Sequence, residues 1–170
     1  SLCDWSSDVC SSDLTLPEKD HTGKVLLSSL VPNWKKHSSI EDVWVTVFMH
    51  SDYSEEARIH IPDIDRNYRP NLQALSQLMY ALEHTNTNIL LTGLPSVGKS
   101  SLVKYACAIT NRPLYRFNYN GTMDSSAILG TVSASSGSTT WHDGFLPEGI
   151  QVENAVLLHD EGTAAPPEKI

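Results

Sequence analysis

At 170 residues with a net charge of −8, the chain has room for one domain with a buried core and lacks the clustered Lys and Arg of a general nucleic-acid binder. No apolar run reaches the roughly 18 residues that a membrane helix needs. The seven His are scattered without ligand spacing, so composition offers no metal site.

The opening stretch, SLCDWSSDVCSSDL, has no initiator Met, no Lys or Arg, and no apolar period. Cys3 and Cys10 stand in poor zinc spacing, and the stretch has neither the basic region nor the apolar run of a secretory signal. Residues 4–14 reverse-translate, base for base, to a common short-read sequencing adapter read in one frame. Residues 1–14 are therefore expected to be a non-native scar of gene assembly without packed contacts, and fold reasoning starts at residue 15. Without Asp4, Asp8 and Asp13 the balance is 17 acidic against 12 basic residues. Only Cys107 then remains, which removes any disulfide framework and makes a reducing cytoplasm the natural setting.

Residues 15–60 form a segment of unknown role with an expected β-hairpin. VWVTVFMH (43–50) alternates large apolar and β-branched residues as a strand does, and ARIHIP (57–62) reads as a shorter second strand. PNLQALSQLMYALEH (70–84) places Leu72, Leu75, Leu78, Met79 and Leu82 on one helical face. NILLT (88–92) reads as a short buried strand, and SSLVKYACAIT (100–110) as a second amphipathic helix with Cys107 on its apolar side. LYRFNYN (114–120) is a further strand. Residues 124–129 suggest a short helix ending at Gly130, and TVSASSGSTTW a polar hairpin. AVLLHD (155–160) is a buried strand ending in acid. Strands alternating with helices imply a parallel sheet covered on both faces.

Between the 88–92 run and the second helix lies GLPSVGKS: Gly93, Leu94, Pro95, Ser96, Val97, Gly98, Lys99 and Ser100. This is the phosphate-loop pattern G-x-x-x-x-G-K-[ST], and its spacing has a physical cause. Glycine at each end lets successive N–H groups turn toward phosphate oxygens, and the following helix aims its positive end at the same anion. Gly93 through Ser101 are the candidate nucleotide-binding residues. Lys99 would reach the β- and γ-phosphates, and the Ser100 hydroxyl would ligate Mg²⁺. Asp160 and Glu161 end an apolar strand at the carboxyl edge of the sheet, where such folds bind ligands. Asp160 would hold the metal with Ser100, and Glu161 would polarise the attacking water, so Glu161 and Lys99 are the candidate catalytic residues.

With these motifs in hand, residues 61–170 resemble the AAA+ ATPases of the dynein-related and MoxR-type group, including midasin-like proteins and the small AAA+ subunit of cobaltochelatase. IPDIDRNY (61–68), NRPLYRFNYNGTMDSSAILG, WHDGFLPEGI and DEGTAAPPE each resemble a stretch of that group. Gly162-Thr163 stands where an apolar-Asn pair is usual, and His159 where an apolar residue is common. The resemblance implies a P-loop NTPase, three-layer αβα core with a parallel sheet, of which this chain would carry the first three strands after a small β-containing segment. It implies ATP and Mg²⁺ as cofactors, a homo-oligomeric, hexameric ring, and remodelling of a partner protein of unknown identity. A GTP-using relative, a small-molecule kinase and a nucleotide-binding remnant without turnover are the competing readings. The family core also has a fourth strand with a sensor residue, a fifth strand, an arginine finger and a helical lid. Their absence before Ile170 predicts a partial chain that is inactive alone. Trp141 is expected to pack the hairpin base or face a pore, and Arg116 to face a neighbouring subunit or solvent.

Overall fold

Apolar side chains from residues 25–47 and from two helices share one core, and the computed structural model describes it through residues 23–32, 34, 39–85, 88–119, 125–135 and 137–161. The expected scar with Cys3, Cys10 and Trp5 lies outside these residues. The chain runs β1 (Val25–Leu26), α1 (Leu27–Leu30), β2 (Trp44–Val45), α2 (Glu55–Arg58), α3 (Leu72–His84), α4 (Lys99–Thr110), β3 (Leu114–Asn118), α5 (Ser125–Leu129), β4 (Gly130–Ser135), β5 (Ser138–Asp143), α6 (Phe145–Ile150) and β6 (Val156–Asp160).

The 43–50 stretch keeps its alternation but only part of its strand. Val43, Val45 and Val47 are buried and Trp44 points outward, yet only Trp44 and Val45 join a ladder, antiparallel to β1. Beyond them the Phe48 N–H donates to the Thr110 carbonyl, and a 3₁₀ turn follows at His50–Asp52. The expected partner strand at 57–62 does not form. Ser54 accepts from the Ala57 N–H at 3.3 Å as an N-cap, and Glu55 and Glu56 complement the helix start, so one turn of helix wins there. The expected hairpin is thus replaced by the β1–β2 pair across α1.

α3 begins after Asn71, whose side chain accepts from the Ala74 N–H, and buries Leu75, Leu78 and Met79. Burial of each such side chain contributes about 1.5–3 kcal/mol. These residues and Leu102, Val103, Ala106, Cys107 and Ile109 of α4 meet Val25, Leu27, Val45 and Val47 in one cluster, with no break at residue 60. Cys107 is a buried free thiol, and burial pushes it up to about 12.

β3 and β6 pair in parallel with Arg116 opposite Leu158 and Asn118 opposite Asp160. Side chains alternate across this pair. Leu114, Val156 and Leu158 pack on the core that contains α4. Tyr115 and Leu157 meet α6 so closely that a Cβ on Gly149 would collide with both. A helix therefore covers each face, the three-layer arrangement the sequence suggested. The sheet is narrower than expected, because residues 88–92 form no strand. A strand needs a neighbouring ladder, and no described strand lies beside this run. Leu91 reaches the core, but Leu90 is 85% exposed.

The β4–β5 hairpin forms as read, with Gly130 opposite Asp143. Trp141 lies over Gly130 and donates its indole N–H to Asp143, but it remains half exposed rather than packed away. Gly130 has φ +130°, and a Cβ there would meet the His142 carbonyl and the Trp141 ring. Gly130→Ala is expected to cost roughly 2–3 kcal/mol, from backbone strain and overpacking together. Urea unfolding checks this, with exposed Val132→Ala as the control. Equal midpoints for the two variants would contradict the close approach.

Candidate functional site

Residues 93–98 turn through three left-handed conformations, Gly93 at φ 151°, Ser96 at 62° and Gly98 at 90°. Two are glycine, for which such angles carry no Cβ penalty. The turn delivers the chain into α4 at Lys99, with Gly98 as an N-cap that offers no side-chain acceptor and no acid in the first helical turn. The N–H groups that begin a helix have no partner within it. This 12-residue helix therefore presents them, and the positive end of its dipole, toward the loop.

Lys99 Nζ donates to the carbonyls of Gly93 and Leu94, each at 2.9 Å, so the ammonium folds back over the loop. Leu94, Pro95, Ser96 and Val97 are exposed, and Gly98, Lys99 and Ser100 are half-buried. Ser101 faces outward on the first turn.

The residue beside Lys99 links the loop to the sheet. Ser100 Oγ donates to Asp160 Oδ2 at 2.7 Å across 60 positions of sequence. The parity of β6 explains the reach, because Asp160 shares the α4-facing side with Val156 and Leu158. Arg116 Nη2 donates to the same oxygen at 2.8 Å. The Ser100 hydroxyl first, and the Arg116 guanidinium after it, hold the Asp160 carboxyl below the ordinary carboxylate range against the opposing effect of burial. Glu161 follows, exposed and in a left-handed conformation at φ 56°, which is uncommon for a residue with a side chain. His159 turns away to Tyr119, whose hydroxyl lies 2.7 Å from its Nδ1.

Of the residues singled out in the sequence, Ser100 and Asp160 meet directly, Lys99 beside Ser100 turns its ammonium to the Gly93 and Leu94 carbonyls instead, and Glu161 follows Asp160 at the strand end. Two neighbours were not anticipated. Arg116, half exposed, reaches Asp160 within its own chain. Its position in a parallel strand, with the same parity as Asp160, was the signal available. Tyr68 is the second: a Cβ on Gly98 would lie 3.8 Å from its hydroxyl. Tyr68 and Tyr105, with ring centroids 5.4 Å apart, help line a cavity of about 190 Å³ with Ile64, Arg69 and Ile109. A larger hollow, about 410 Å³, lies at the far end of α3 between Trp44, Tyr80 and His84, and holds none of the sequence-singled residues.

An uncapped helix start, a lysine over a glycine turn and a hydroxyl–carboxylate pair at its side suit a polyphosphate and a hard, oxygen-preferring cation. Residues 88–170 match the family model described as AAA domain (dynein-related subfamily). The matched span takes in the whole 93–101 loop together with Asp160 and Glu161. The AAA domain has the P-loop NTPase α/β fold, to which the two-stranded parallel sheet with helices on both faces corresponds in part. The match supports nucleotide binding and an AAA+ ATPase, since domains of this family are in general ATP hydrolases. The chain is also 26% identical over 106 residues to a Thauera aromatica protein named "Putative chaperone BssE". That alignment covers 61% of this chain and 37% of the relative, so the chain spans well under half of its length. Among the described residues, no helix is long and apolar enough to cross a membrane.

Proposed function

We propose that the protein is a cytoplasmic AAA+ ATPase that binds Mg·ATP, works as a homo-oligomeric, hexameric ring and couples hydrolysis to the remodelling of a partner protein. The observation that carries this reading is the 2.7 Å contact between Ser100 and Asp160 beside the Lys99 loop. It sets a hydroxyl and a carboxylate side by side, one helix start away from a cationic lysine. The name of the Thauera aromatica relative, a chaperone, supports action on another protein.

In this reading the backbone N–H groups of the 93–101 loop, Pro95 excepted because it has none, hold the β- and γ-phosphates, and Lys99 exchanges its two carbonyl contacts for phosphate oxygens. Ser100 and Asp160 would hold Mg²⁺, which would supply positive charge against the negative charge that develops on the phosphate. Glu161, exposed at the strand end, accepts a hydrogen bond from the attacking water and draws its proton away. The cavity lined by Tyr68 and Tyr105 offers the base an aromatic wall next to Gly98.

Glu161→Gln separates binding from chemistry. It keeps the size and most of the polarity of the side chain but removes the group that orients and deprotonates water. Fluorescent-nucleotide binding should stay within about twofold in the chain itself, whereas phosphate release, read in the assembled ring with the sensor, arginine finger and lid of the family core, should fall by at least about 100-fold. Competition by ADP and GDP in the same assay reads the choice of base. Equal loss of binding and turnover in Glu161→Gln would contradict the assigned role.

A further inference from the structure

Asp160 carries two donors on one oxygen. Ser100 Oγ and Arg116 Nη2 both meet Oδ2, at 2.7 and 2.8 Å. Any cation that takes Asp160 as a ligand must share that carboxylate with a guanidinium already seated on it. Two positive charges a few ångströms apart repel, and the repulsion grows as water is excluded. We propose that Arg116 is a built-in counter-ion for Asp160, occupying the carboxylate until a divalent cation displaces it.

This inference rests on the reading of Asp160 as the metal-side carboxylate. The fold supports the displacement in three ways. Arg116 comes from β3 and Ser100 from α4, so the guanidinium can leave without disturbing the serine that would remain with the cation. The Arg116 side chain is 54% exposed while that of Asp160 is 19% exposed, so the departing group has water to enter and the carboxylate stays fixed. Register holds Arg116 on the same face as Leu158 and Asp160, which aims it at the carboxylate but leaves its long side chain free at the tip. A half-exposed pair of this kind is strong enough to bias the carboxylate and weak enough to yield to a dication, shifting an equilibrium by up to about fivefold.

The test uses the full chain with saturating ADP and Mn²⁺ as the probe, following loss of the free-ion paramagnetic signal. Arg116→Ala is expected to tighten Mn²⁺ binding by about three- to fivefold, and Arg116→Lys by less, because an ammonium still competes. In an Asp160→Asn background the Arg116→Ala change should have no effect, which a merely structural role for the arginine would not produce. Binding of ADP in EDTA should be the same with and without Arg116. Mn²⁺ affinity that stays unchanged or weakens in Arg116→Ala, with ADP still bound, overturns the inference and leaves the nucleotide reading standing. Loss of ADP binding in EDTA would instead make Arg116 a phosphate ligand, which also overturns it. A wild-type chain that binds neither ADP nor Mn²⁺ overturns both. If circular dichroism shows Arg116→Ala misfolded, Arg116→Gln carries the same comparison.

Discussion

Lys99→Ala is expected to lower nucleotide affinity by at least about 100-fold while leaving the fold intact. The ammonium donates to the Gly93 and Leu94 carbonyls at 2.9 Å, so it already sits where the loop closes on itself. A charged hydrogen bond is worth roughly 1.5–3 kcal/mol, and Lys99 would make more than one to phosphate oxygens. At about 1.4 kcal/mol per decade, the loss of even one reaches tenfold, and two reach 100-fold or more. Alanine also removes the stem that spans the loop, so the anion loses both its counter-charge and a wall of its cradle. The cost to stability should be small, since the side chain anchors no part of the core cluster. Titration with a fluorescent ATP analogue measures the first effect and a urea melt the second. Unchanged affinity in a folded Lys99→Ala protein would remove the 93–101 loop from the nucleotide site.

Much of this site could be read from the sequence because its spacing answers to chemistry. The distance from Gly93 to Lys99 is that of a phosphate-loop pattern and comes with a curled backbone, and the acid at the end of an apolar run marks a sheet edge. The Ser100–Asp160 contact across 60 residues follows from those two requirements together. The helices α3 and α4 were legible for a simpler reason: each carries enough turns for its apolar face to repeat. The short elements were not. NILLT has the composition of a buried strand, but composition says what a segment can bury and not what lies beside it. Leu90 is left 85% exposed because no described strand pairs with its run. At 57–62 the two isoleucines suggested a strand, while the capping signal three residues earlier, Ser54 followed by Glu55 and Glu56, favoured a helical turn. Arg116 was ambiguous for lack of register. Once Arg116 is known to stand opposite Leu158, its reach to Asp160 follows from side-chain parity.

Glu83→Ala is expected to destabilise the protein by about 3–5 kcal/mol, enough to consume much of a domain's usual margin. No sequence pattern marked Glu83, which sits near the end of a helix like any solvated acid. In the structure its side chain is 3% exposed. It accepts from the Thr46 N–H at 3.1 Å and the Thr46 hydroxyl at 3.0 Å, and pairs with Lys24 at 2.9 Å and Arg112 at 2.6 Å. The carboxylate thereby ties three parts of the chain together: Lys24 and Thr46 ahead of α2, α3 itself, and Arg112 after α4. Arg112 is 8% exposed and stacks over Phe48 at 4.7 Å. Truncating Glu83 would leave that guanidinium buried without its counter-charge, and this orphaned charge is what makes the loss large. Acid should act in the same direction. Burial alone would raise the Glu83 carboxyl, but the Lys24 and Thr46 hydrogen bonds and the Arg112 charge outweigh it and hold it below the usual glutamate value. A carboxyl depressed in the folded state binds its proton more readily when unfolded. Its contribution is therefore full above about pH 4.5, the ordinary glutamate value, and is lost as pH falls through the folded value. Urea midpoints of wild type, Glu83→Gln and the exposed control Glu153→Gln, measured from neutral pH down to about pH 3, read both effects. Glu83→Gln should start lower and lose less on acidification, whereas Glu153→Gln should follow wild type. A Glu83→Ala cost below about 1 kcal/mol would show that Lys24 and Thr46 are not held to the two helices by this carboxylate.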